Sequence, residues 1–221
     1  MTLTWRLLQL ADSGFPSGGF AHSAGLEVAV LLGELPDPAR LDSWVRAHLW
    51  SVGHGSLPFV GAAHDDPGEL ARLDGLDDAF LTNHVANRAS RTQGRAFLAT
   101  CARVFDEPAL LALAERVRAA EVAAHLAPLF GATLSELGLA RKDALSLHLL
   151  LALRSVSSAA VRLGVVGPHE AQRLQRRHAE TMDAVLGACS TLRPEVAASA
   201  APLQDVFGAA HDRLHARLFQ S

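Results

Sequence analysis

No tyrosine and no isoleucine occur among the 221 residues; lysine appears once, at Lys142, and cysteine twice. Each shortage narrows the reading. β-Branched and aromatic side chains favour strands, whereas alanine and leucine, abundant here, lose least on entering a helix, so an all-α fold with no sheet is expected. A phosphate-binding loop of the Gly-x-x-x-x-Gly-Lys-Ser/Thr type needs its lysine to reach the terminal phosphates. Lys142 sits in ARKDAL with no such loop before it, which excludes a P-loop nucleotidase. Cys101 and Cys189 belong to no Cys-x-x-Cys pair, which argues against a structural zinc site or a disulfide framework and fits a reducing cytoplasm. Basic excess is missing as well: 20 Lys and Arg stand against 23 Asp and Glu, a net charge of −3 that leaves no nucleic-acid footprint. Arg173, Arg176 and Arg177 cluster, but beside Glu170 and Glu180 they read as a solvated helix face. No uncharged run reaches the ~20 residues that span a bilayer, and the N-terminus lacks the apolar stretch of an export signal. The most apolar segment is interrupted by His148, Arg154 and Arg162 and reads as a buried core helix.

What is present is helix punctuation. Asp37, Asp66, Glu107, Gly167 and Arg193 each precede a proline. Proline at the first helical position loses no intrahelical bond, and an aspartate just ahead can accept from the free N–H groups, so these dipeptides predict helix starts. The pattern predicts helices at about 4–11, 18–32, 38–52, 55–64, 67–72, 76–105, 108–124, 126–138, 141–164, 168–190 and 202–218. They form one compact domain of about ten helices across residues 1–221, long enough to bury about 70% of its unfolded surface. Ser155, Ser157, Ser158, Ala159 and Ala160 put small side chains in the most apolar helix, room for another helix or a second subunit.

The most informative stretch is LLQLADSGFPSGGFAHSAGLEVAV, Leu7 to Val30. Two apolar runs flank a break at Gly14, Pro16, Gly18 and Gly19, residues a helix interior absorbs poorly. Ser17 is expected to cap a new helix that carries Phe20, His22, Ser23 and Glu27 on its first turns.

Catalytic chemistry has thin support. Ser17 or Ser23 near His22, with Glu27 as third member, is the one hydrolase arrangement available, and no Gly-x-Ser-x-Gly elbow accompanies it. Of eleven histidines, only His211 and His215 stand at i and i+4, a spacing that puts two imidazoles on one helical face. Two solvated histidines on an amphipathic C-terminal helix are the plainer reading, and a weak transition-metal contact the sharper one. The ending ARLFQS places Leu218 and Phe219 where chains usually fray, so something is expected to cover them: the protein's own fold or a partner surface.

Pro16, Gly18, Gly19, Phe20, Ser23, Gly25, Leu26 and Glu27 keep the order and spacing of the Pro-x-Gly-Gly-Phe turn and Ser-x-Gly-Leu-Glu helix of the urease accessory protein UreF family, which the chain resembles. NRASRTQGRAFL (87–98), SSAAVRLGVVGPHEAQRLQ (157–175) and the Arg-Leu-Phe-x-Ser ending resemble the same family. His22 stands where many bacterial members have tyrosine, and plant-like members read closer. The resemblance implies an all-α, homodimeric, non-enzymatic cytoplasmic factor that acts with a UreG-like GTPase and a UreD-like (UreH-like) scaffold to deliver nickel into apo-urease. No tightly bound cofactor is implied: GTP belongs to the partner and nickel to the complex. No nucleic acid or membrane is involved. The resemblance further implies that Arg217, Leu218, Phe219 and Ser221 dock onto the scaffold. Gly18, Gly19, Phe20, His22 and Glu27 would shape a surface or passage near the dimer centre, and Arg162 would face the dimer or the GTPase.

Overall fold

Prolines set the helix starts in the computed structural model, which describes residues 2–16, 18–35, 37–119 and 122–221, apart from the Phe20 side chain. Helices α3 (Pro38–Gly55), α7 (Pro108–Ala119) and α10 (Pro168–Arg177) begin on Pro38, Pro108 and Pro168, and short 3-10 turns begin on Pro67 and Pro194. Asp37 caps α3 by accepting from the Arg40 N–H at 2.8 Å. Asp37→Ala should therefore cost about 1 kcal/mol, read as a lowered urea midpoint. An unmoved midpoint would show that the cap contributes nothing.

The remaining helices are α1 (Leu3–Leu10), α2 (Leu26–Leu31), α4 (Leu57–Asp65), α5 (Leu70–Phe80), α6 (His84–Phe105), α8 (Leu126–Glu136), α9 (Arg141–Arg162), α11 (Ala179–Cys189) and α12 (Pro202–Ala210). No strand occurs among the described residues. Helix α9 is long and apolar enough to cross a membrane by composition alone, yet it packs against α3, α4, α8, α10 and α11. Leu145, Leu149, Leu153, Val156 and Ala160 recur at helical spacing along it and are all buried in one core. Helices α4 and α8 cross closely: a Cβ on Gly131 would lie 2.1 Å from the Val60 carbonyl oxygen. Only glycine lets the two backbones meet there.

Several expected helices are interrupted. Residues 18–32 hold a 3-10 turn at Gly19–Ala21 and then α2, because Ala24 (φ 52°) and Gly25 (φ 81°) are left-handed. His22 is extended (φ −124°, ψ 135°), so of the residues expected on the first helical turns only Glu27 lies there. The Ser17 cap and the Phe20 side chain lie outside the described residues. The segment expected as 76–105 divides before Asn83, whose side chain accepts from Val85 and Ala86 N–H and starts α6 afresh. The expected 168–190 helix breaks at His178 (ψ 4°). That expected at 108–124 ends at Ala119, with Ala120 and Glu121 outside the described residues. The last helix ends at Ala210 rather than 218; a 3-10 turn at His211–Arg213 then turns the chain back across the fold.

Candidate functional site

That returning tail and the glycine-rich front end form one structure. Gly25 allows it: besides its positive φ, a Cβ there would sit 2.8 Å from Gly208 N and 2.9 Å from the Gln204 carbonyl, so α2 and α12 touch backbone to backbone. Glu27, on the first turn of α2 and 3% exposed, faces the incoming chain. Its Oε1 accepts from Leu218 N–H at 2.6 Å, and its Oε2 accepts from Phe219 N–H at 3.3 Å and meets His211 Nε2 at 3.0 Å.

Beyond Phe219 the contacts pass to the front end. Gln220 N–H donates to the Ala21 carbonyl at 2.8 Å. The Ser221 carbonyl accepts from Ser23 N–H at 2.6 Å and from Ser23 Oγ at 3.0 Å, while Ser221 Oγ lies 2.6 Å from His22 Nδ1. Burial, and secondarily the nearby His211, hold His22 below the usual imidazole pKa. Arg162, at the end of α9, donates to the Leu218 carbonyl at 3.3 Å and lies 4.1 Å over the Phe219 ring, a cation–π contact. Asp212 pins the turn: it accepts from Arg88 at 2.8 Å and from Arg217 at 3.4 Å, with His84 Nε2 at 3.2 Å. Those arginines hold its carboxyl below the ordinary aspartate range, Arg88 foremost.

The residues singled out in the sequence thus fall into two groups. Phe219 (5% exposed) and Ser221 are covered by the chain itself, together with His22, Glu27 and His211. Leu218, half exposed, and the exposed Arg217 remain on the surface. Arg217 is tied to Asp212 and to the Leu214 carbonyl. Gly18, Gly19, His22 and Ser221 also border a cavity of about 560 Å³. In the small-residue stretch of α9, Ser155 donates to the Gly19 carbonyl, so the front-end turn sits at that point.

His211 and His215 do not share a helical face, because α12 ends at Ala210; His211 is buried on Glu27 and His215 is exposed. Among the described residues no group of three or more His, Cys, Asp or Glu is arranged to hold a metal ion. The hydrolase arrangement of Ser23, His22 and Glu27 is not assembled either. Ser23 bonds to Ser221, His22 to the Ser221 hydroxyl, and Glu27 to the tail backbone and His211. Sequence reasoning missed Asp212 and Asp77. The first makes its contacts through groups far away in the chain. The second had a signal: it follows Leu70 and Leu73 on the buried face of α5 at i+7 and i+4.

The fold is helical, its front end and tail clasp one another, and Leu218 and Arg217 stay exposed at the rim. The sequence model described as UreF matches residues 35–179. Urease accessory protein F of Arabidopsis thaliana is 36% identical, with 99% of this chain and 93% of that protein covered. Its counterpart in Oryza sativa subsp. indica is 35% identical over 97% of this chain and 84% of that protein, and urease accessory protein UreF of Arthrobacter sp. (strain FB24) is 29% identical over 97% and 96%. The chain belongs to the UreF family.

Proposed function

We propose that this chain is a urease accessory protein: a non-enzymatic adaptor that bridges a UreG-like GTPase and a UreD-like (UreH-like) scaffold while nickel is inserted into apo-urease. The UreF match and the urease accessory names of relatives spanning nearly the whole chain carry the reading. GTP stays with the partner and nickel with the complex; the protein works in the cytoplasm as a homodimer and binds neither nucleic acid nor membrane.

The tail supplies the scaffold-facing surface. Its backbone is fixed by Glu27 and Arg162 while Leu218 projects into solvent beside Arg217, a rigid apolar and cationic pair of the kind that anchors interfaces. Gly18, Gly19, Phe20, His22 and Glu27 shape a surface or passage near the dimer centre, and His22 and Glu27 also hold the tail.

Leu218→Asp tests the assignment, since the side chain is exposed and its backbone bond to Glu27 survives. The variant should melt within a degree or two of the parent and fail to co-purify with the scaffold, leaving co-expressed urease without nickel. Retained co-purification would move the docking surface elsewhere. Normal nickel loading in cells lacking the protein would reject the adaptor role itself.

A further inference from the structure

The cavity that reaches the front end has a second wall with an unspent group. Asp77, on α5, is 3% exposed and lines the cavity, and its Oδ2 has no hydrogen-bond partner. A buried carboxyl oxygen without a partner is costly, and interiors seldom tolerate it. The cavity, open to solvent at the exposed Asp12–Gly14 side, has a volume of about 560 Å³, within the range of small-molecule sites.

The other walls define what fits. Phe15, Phe97 and Phe130 present rings, with Phe97 and Phe130 stacked at 4.8 Å and Phe130 meeting His148 edge-on at 5.0 Å. His48 and His148 also line it, and burial pushes both to a pKa of about 4, so neither brings a positive charge at neutral pH. Arg154, at the front-end side, donates to the Ala11 carbonyl. The walls thus combine aromatic and aliphatic surface with serine hydroxyls, the Arg154 guanidinium and two carboxyls, exposed Asp12 and buried Asp77. A bare ion would leave the rings without a partner, and an anion at the Asp77 end would meet a carboxyl.

We propose that this cavity is a binding site for a small organic ammonium: a cationic nitrogen on the Asp77 carboxyl and an apolar body against Phe97 and Phe130. The proposal does not rest on the adaptor reading, although Ser221 of the tail borders the same cavity. The occupant's charge replaces the proton that Asp77 otherwise keeps, for burial, then Asp74 and Asp78, raise its pKa to about 7. Facing groups are accounted for: Asp74 accepts from Ala124 and His125 N–H, and Asp78 bonds Asn87 and His125.

Thermal melts of the full chain at pH 8 test this with benzylammonium chloride, benzyl alcohol, sodium benzoate and nickel chloride as probes. Benzylammonium should raise Tm saturably, as a ligand of the native state must, while benzoate should not. Asp77→Asn should weaken the benzylammonium response at least tenfold and leave the benzyl alcohol response in place. Ala152→Phe, which fills the cavity from α9, should remove both. The proposal fails if benzylammonium gives no saturable shift, if benzoate matches it, if either variant responds like the parent, or if nickel alone gives the Asp77-dependent shift.

Discussion

Glu27→Ala is expected to free the C-terminal segment from the body of the protein. The substitution removes the acceptor for Leu218 N–H, Phe219 N–H and His211 Nε2 together, from a site that is 3% exposed. A buried donor left without its acceptor costs about 1–3 kcal/mol when it stays buried, and here three lose theirs at once. Here they need not stay: the tail can peel away and give its N–H groups to water, so the loss concentrates in residues 214–221. Amide exchange should show this. Protection at Leu218 and Phe219 should fall by about a hundredfold or more, the equivalent of roughly 3 kcal/mol. Tryptic cleavage after Arg217 should accelerate in parallel. Glu27→Gln keeps one oxygen and should lie between parent and alanine. The Phe219 ring opposes release through burial and through Arg162, a contact worth about 0.5–2 kcal/mol, so Glu27→Ala/Arg162→Ala should detach the tail further than either alone. Unchanged protection at the two amides would mean that apolar burial alone holds the segment, and Glu27 would lose its place in the clasp.

The same clasp shows how far the sequence could be read. Helix starts were legible because Asp-Pro and its variants act locally: Pro38, Pro108 and Pro168 each open a helix. The all-α class followed from equally local propensities. What escaped was set by distant contacts. A helix through 202–218 satisfies local preference, but the chain leaves it at Ala210 because Asp212 is drawn to Arg88, 124 residues away, and Leu218 to Glu27, 191 residues away. The i, i+4 pairing of His211 and His215 depended on that helix and goes with it. In the front end, the residues marked by the family pattern do gather at one place, yet spacing alone could not say that Glu27 would spend its carboxylate on the protein's own backbone. Nor could it say that Ser221 would occupy His22 and Ser23. Those pairings are long-range and carry no period.

Asp77→Asn is expected to reverse part of the protein's dependence on pH. In the folded chain, burial first and the charges of Asp74 and Asp78 second raise Asp77 from 3.8 to about 7. Between those two values the native state holds a proton that the unfolded chain releases. Stability therefore falls as pH rises from about 4 to about 7 and levels off above it, where both states have lost the proton. A rise of about three units corresponds to a loss of up to about 4 kcal/mol, large beside a total of roughly 5–15 kcal/mol for a typical domain. Asparagine has nearly the same shape and no charge to bury. The variant should match the parent near pH 4 and exceed it increasingly towards pH 8, by several degrees in Tm. Other groups titrate in both proteins, so the difference between the two curves is the quantity to follow. His48 and His148, held near 4 by burial against 6.5 in the unfolded chain, raise stability as pH climbs between those values, but they do so in both proteins and cancel in the difference. A constant difference from pH 4 to pH 8 would show that Asp77 keeps an ordinary pKa, and that its carboxylate finds water in the cavity. A widening gap that closes when benzylammonium is added to the parent would tie the proton and the ligand to the same carboxyl.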